Sequence, residues 1–136
     1  MATKNNTVEK EYSVIIRNSS RELSAKEKIA FRDFGNAIKL DENLAEDESM
    51  LIAPADYVIL DVNNEKAKGN KDYTKYVIID TAGNKYVTGS ESFFTRFIEI
   101  FETMAEDAPD EEYQIECYKK PSKNYAGKSF ISCSLV

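Results

Sequence analysis

The sequence predicts a mostly β, α+β domain: an OB-like five-stranded barrel with a helix between strands three and four, plus an N-terminal β/α extension. Three observations predict it. Between residues 57 and 135 the chain reads strand–strand–strand–helix–strand–strand. One long apolar stripe, Phe93, Phe97, Ile100, Phe101 and Met104, recurs at helical spacing between the third and fourth of these strands, and Phe94 and Ile98 widen it. A chain of 136 residues, 42% of them apolar, suffices for one domain with a real core and is too short for two. A mixed α+β sheet carrying one packed helix gives the same string. A doubly wound α/β fold fits poorly, because hairpins outnumber helical crossovers.

Residues 1–7 read as a disordered lead and 8–136 as one domain, with 8–53 the extension and 57–135 the barrel. Tyr12-Ser-Val-Ile-Ile16 is a short strand of mostly β-favouring residues. Ser24-Ala-Lys-Glu27 fits a capping box, which predicts a helix from Ala25 towards Phe34, ended near Gly35. Ala37 to Leu40 and Met50 to Ala53 are expected to pair as a hairpin across an acidic loop. Tyr57 to Val62 is a strand ended by Asn63-Asn64. Tyr73 to Asp80 is the next, turned by Ala82-Gly83-Asn84 into Lys85 to Thr88, with Gly83 supplying positive φ. Ser90 then caps a helix to about Ala105, with Glu91 well placed in its first turn. Pro109 and its acidic neighbours end that helix. Tyr113 to Lys119 and Lys128 to Leu135 are two further strands around the loop Lys120 to Gly127.

Several chemistries are missing. The chain has no histidine, which removes the commonest general base, Ser–His and Cys–His nucleophile pairs, and His-ligated zinc. Its two cysteines, Cys117 and Cys133, are too few for a disulfide framework or a four-sulfur metal site; lying in alternating apolar stretches, they read as buried free thiols. Asp56, Asp61 and Asp80 sit near strand ends, where carboxylates serve turns more often than magnesium. The five glycines are scattered and form no phosphate-binding loop. Capping alone explains the helix start at Thr88-Gly89-Ser90. The expectation is a non-enzymatic protein without a cofactor. No run approaches a membrane span and Met1 to Lys10 lacks an apolar signal core, which points to a soluble, intracellular protein with no membrane partner.

Charge is unevenly placed. The net charge of −6 hides −5 within 41–49 and −5 within 106–112, so the remaining residues carry +4. Solvated connections are the plain reading of both segments, and partner-docking patches the sharper one. The positive charge collects around the two loops that bracket bound oligonucleotide in an OB barrel, here 63–72 and 120–127. The first carries Lys66, Lys68 and Lys71 against Glu65 and Asp72. The second, with its borders, carries Tyr118, Lys119, Lys120, Lys123, Tyr125 and Lys128 without an acid. Tyr73, Lys75, Tyr76, Lys85 and Tyr86 continue the interleaving along strands two and three; alternation puts Tyr73 and Tyr76 on opposite faces, with Tyr73 and Lys75 favoured outward. Lysines meet the phosphates of a single strand and flat rings meet its unstacked bases. Against this, lysine-rich loops are common solubility devices and strand tyrosines usually pack half-buried.

The stretches Lys75-Tyr-Val-Ile-Ile-Asp80, Lys85-Tyr-Val-Thr-Gly-Ser-Glu-Ser-Phe93 and Tyr118-Lys-Lys-Pro-Ser-Lys-Asn-Tyr-Ala-Gly-Lys-Ser-Phe-Ile-Ser-Cys-Ser134 resemble small single-stranded DNA-binding proteins of bacteriophages and mobile elements. The resemblance runs over most of 8–136 and is weakest at 41–49. It implies sequence-tolerant binding of single-stranded DNA during phage or mobile-element replication or recombination, in the cytoplasm of a bacterial host. It assigns no binding residues. Many bacterial single-strand binders end in a disordered acidic tail, whereas Ser132-Cys-Ser-Leu-Val136 reads as strand. Recruitment of phage or host replication proteins would then fall to 41–49 and 106–112. The rival expectation is an acidic inhibitor or adaptor docking host proteins through those segments. The oligomeric state is left open, a homo-oligomer included.

Overall fold

The longest strand organises the molecule. Pro54–Asn64 is apolar at four successive positions, Tyr57 to Leu60, because both of its faces are covered. The structure, a computed structural model, describes residues 12–45, 47–65, 69, 71–121 and 129–136. In chain order the elements are β1 (Tyr12–Ser19), α1 (Ala25–Arg32), a 3-10 turn (Phe34–Asn36), β2 (Ile38–Lys39), α2 (Leu40–Asn43), β3 (Ser49–Ile52) and β4 (Pro54–Asn64). They continue with β5 (Asp72–Asp80), β6 (Lys85–Thr88), α3 (Glu91–Asp107), β7 (Ile115–Pro121) and β8 (Ser129–Leu135).

The strands form two sheets. The larger is mixed and has the order β1-β4-β5-β6-β2, antiparallel except for β2 on β6. The smaller, β3-β7-β8, is antiparallel throughout. Local sequence explains the joints. At Ser24 both halves of the capping box form, the Ser24 hydroxyl accepting from Glu27 N and the Glu27 carboxylate accepting from Ser24 N. Gly83 turns β5 into β6 at φ +92, a conformation that favours glycine. Ser90 caps α3 by accepting from Phe93 N.

Helix α3 packs its aromatic stripe against the inner faces of both sheets. Tyr57 meets Phe94, Phe97 and Phe101 edge-on, with ring centroids 5.3 to 6.2 Å apart. Tyr76 stacks on Phe94 at 4.3 Å. Ile115, Cys117, Ile131 and Cys133 close this cluster from the smaller sheet. A second cluster lies behind the larger sheet, where Leu23, Phe31 and Ala37 cover Val58, Leu60, Val62, Val77 and Val87. Among the described residues no helix is long and apolar enough to cross a membrane.

The mostly β, α+β expectation holds, and so does the order of elements from 57 to 135. The pairing of the extension differs. The expected hairpin between 37–40 and 50–53 does not form: β2 runs parallel to β6, and β3 pairs with β7. Burial of Leu40 and Leu44 draws the connecting segment into the core between the two sheets. Strands of the extension also occupy edges that a closing barrel would use. β1 takes the free edge of β4, β2 that of β6 and β3 that of β7, so the five expected barrel strands divide three and two between the sheets.

Candidate nucleic-acid interface

Period-two alternation sorts the candidate residues between faces. In β7, Ile115 and Cys117 point into the core, which sends Glu116, Tyr118 and Lys120 outward. In β8, Ile131 and Cys133 point inward and Phe130, Ser132 and Ser134 outward. The register places Lys120 opposite Phe130, Tyr118 opposite Ser132, and Glu116 opposite Ser134, while Ser49 and Leu51 of β3 complete the same face. Phe130 is 42% exposed and Leu51 53%. The Lys120 ammonium lies 5.7 Å from the centroid of the Tyr118 ring, and the Tyr118 hydroxyl is 2.8 Å from Ser134 Oγ. The outer face of the smaller sheet thus offers two aromatic rings, one lysine beside them, a row of hydroxyls and, further along, the Glu116 carboxylate.

Lys119 points the other way. It lines a pocket with Asp41, Ser90, Ser129, Phe130 and Ile131 at the start of α3.

The candidates on the larger sheet lie on its outer face or inside it. Tyr73 pairs with Val62 and Lys75 with Leu60, both on the side covered by α1. Tyr73 is 37% exposed and Lys75 sits 5.7 Å from its ring centroid, so both are outward as expected, while Tyr76 is buried against Phe94. Lys75 also shares a pocket with Asp41 and Glu42. Lys85 reaches over Phe31 of α1, with Nζ 5.1 Å from the ring centroid. Tyr86 cannot stack on a base: it is buried in the α3 cluster and its hydroxyl donates to Asp80 Oδ2 at 2.9 Å. Burial first, then that hydrogen bond, pushes its phenol up to about 12. Lys71 is exposed, with Nζ 3.7 Å from Glu65 Oε2. Lys66, Lys68, Lys123, Tyr125 and Lys128, like the lead 1–7, lie outside the described residues.

The inner faces of the two sheets line one cluster, so their outer faces point apart. Tyr118 and Lys120 therefore do not share a surface with Tyr73, Lys75 and Lys85. Phe130 joins the candidates although the sequence reading passed over it. Its signal was present, since alternation from Ile131 and Cys133 turns it outward.

The carboxylates near strand ends have structural roles. Asp61 receives Arg17 through Nε and Nη2, Asp56 receives Arg21 and Ser20, and Asp80 accepts from the Ala82 and Asn84 amides of its turn. Cys117 and Cys133 are buried free thiols opposite one another in register. Burial, the main cause for each, pushes them up to about 12 and about 11. Compared with protein-family models, curated proteins and solved structures, the chain matches none.

Proposed function

We propose that this protein binds single-stranded DNA without sequence preference, as a non-enzymatic component of phage or mobile-element replication or recombination. Bases stack on Tyr118 and Phe130, and Lys120 meets the phosphates. The observation that carries this reading is the Tyr118–Lys120–Phe130 cluster on the outer face of the smaller sheet, with Phe130 exposed and Tyr118 half-buried, since rings beside a lysine suit the π-faces and backbone of an unstacked strand. The serines of the same face offer hydrogen bonds to sugars and base edges. The order strand–strand–strand–helix–strand–strand and the resemblance of 75–93 and 118–134 to phage single-strand binders add support. In this reading the acidic segments 41–49 and 106–112 face replication proteins and stay off the DNA.

Titration of the folded protein with oligo-dT tests it. Binding should quench tyrosine fluorescence and weaken with salt at a log–log slope of about −0.7 per phosphate neutralised. Absence of binding at low salt would end the proposal.

A further inference from the structure

A pocket of about 450 Å³ opens on another side of the molecule, between the C-terminal half of α3 and the start of β4. Its walls are Ser20, Tyr57, Phe101, Glu102, Ala105 and Glu106. Glu102 and Glu106 stand one helical turn apart on the same side of α3. Among the described residues neither carboxylate makes an ion pair or a side-chain hydrogen bond. Arg21, which follows Ser20 in the chain, is engaged by Asp56 and Glu27.

Three further features make the site electronegative and incomplete. The last turn of α3 holds no basic residue, so the negative end of the helix dipole is unopposed there. Asp107 ends the helix, and Asp110, Glu111 and Glu112 follow at once. Tyr57 is only 7% exposed and lines the pocket, yet its hydroxyl has no hydrogen-bond partner among the described residues. A buried hydroxyl of this kind normally finds one.

We propose that this pocket binds an arginine side chain presented by a basic segment of a partner polypeptide. The guanidinium would bridge the Glu102 and Glu106 carboxylates, its fork of N–H donors matching two acceptors on one helix face. Its stem would lie along Phe101 and Tyr57, and a remaining N–H would give the Tyr57 oxygen its missing partner. Neither an isolated acidic loop nor a greasy cleft would favour arginine in this way; the combination of paired carboxylates and aromatic wall does. The inference does not rest on DNA binding, because the pocket shares no residue with the outer face of the smaller sheet.

The test uses the whole protein without DNA and acetyl-tetra-arginine amide as the probe, followed in 1H–15N spectra. Saturable shifts should centre on the amides of Tyr57, Phe101, Glu102 and Ala105. Glu102→Gln with Glu106→Gln should weaken binding about tenfold, since a charged pair loses its counter-charge. Both are exposed helix positions, so the variant keeps its fold. Asp110→Asn, Glu111→Gln and Glu112→Gln together should change it less than about threefold, as solvent-screened charges outside the pocket lining do. Equal losses in the two variants would overturn the proposal, because the peptide would then be held by the general field of the acidic run. Equal affinity for acetyl-tetra-lysine amide would overturn it too, as would shifts lying elsewhere or no saturable binding at low salt.

Discussion

On the outer face of the larger sheet, Phe31 of α1 lies buried over the strands and Lys85 extends across its ring. On the outer face of the smaller sheet, Phe130 faces solvent with Lys120 opposite it in register. The same two residue types therefore do different work. The larger sheet gained a cover because the segment after β1 sets Leu23, Phe31 and Ala37 over it, with a capping box to start the helix that carries Phe31. The smaller sheet has no such segment next to it in the chain, and α3 lies on its inner side. An aromatic–lysine pair is thus structural where an element lies over it and available where none does.

Removing one ring at a time separates the two roles. Phe31→Ala should cost about 3–5 kcal/mol of stability, the usual loss for a buried phenylalanine. Phe130→Ala should stay within about 0.5 kcal/mol, as exposed substitutions do. Urea unfolding of the two variants measures both. A large loss at Phe130 would mean that its face is covered in the folded protein, and the proposed interface would go with it.

Affinity should show the reverse order. Phe130→Ala or Tyr118→Ala should each weaken oligo-dT binding by about 5- to 150-fold, the equivalent of about 1–3 kcal/mol for one lost stacking platform. Tyr73→Ala, on the opposite outer face, should change it less than about twofold. If Tyr73 proves the more costly residue, the interface belongs on the larger sheet.

The cover itself is testable through its cap. Ser24→Ala should destabilise the protein by about 1 kcal/mol. Acid should act at the same place. The Arg21 guanidinium, followed by the Ser24 amide, holds the Glu27 carboxyl down at about 2, below its ordinary 4.5. A depressed carboxyl contributes stability that is fully present above about 4.5 and is lost as pH falls towards about 2. The stability gap between the native protein and Glu27→Gln should therefore narrow from pH 5 to pH 2.5, with α1 amides losing hydrogen-exchange protection first. A gap that stayed constant across that window would detach Glu27 from the cap.

Much of this was legible locally. The α3 stripe, the Gly83 turn and the Ser24–Glu27 box each declare themselves within a few residues, and all three stand as read. Pairing of the extension was not legible. β2 has two residues and β3 four, and their partners lie in β6 and β7, far along the chain, so no local pattern encodes the match. That same uncertainty concealed which lysines share a surface. Alternation separates Tyr73 from Tyr76 without saying what covers either side, and Tyr86 looked available because a strand both of whose faces are covered shows no polar side. Phe130 was the reverse case. Its neighbours Ile131 and Cys133 already fixed its direction, but a phenylalanine in a strand is ordinarily assigned to the core.

The smallest expected effects compare the two lysines and separate charge from cover. Lys85→Ala should lower stability by about 0.5–1 kcal/mol, the scale of a cation lying on an aromatic ring, because its stem and ammonium shield Phe31. It should leave the salt dependence of oligo-dT binding unchanged. Lys120→Ala should cost no more than about 0.5 kcal/mol, the low end for an exposed cation beside a ring, here Tyr118 at 5.7 Å. It should reduce the magnitude of the log–log salt slope by about 0.7, the signature of one phosphate contact removed. Net charge changes equally in both variants. A shared fall in affinity would point to the overall field of the protein, whereas a fall confined to Lys120→Ala places the phosphate contact on the smaller sheet.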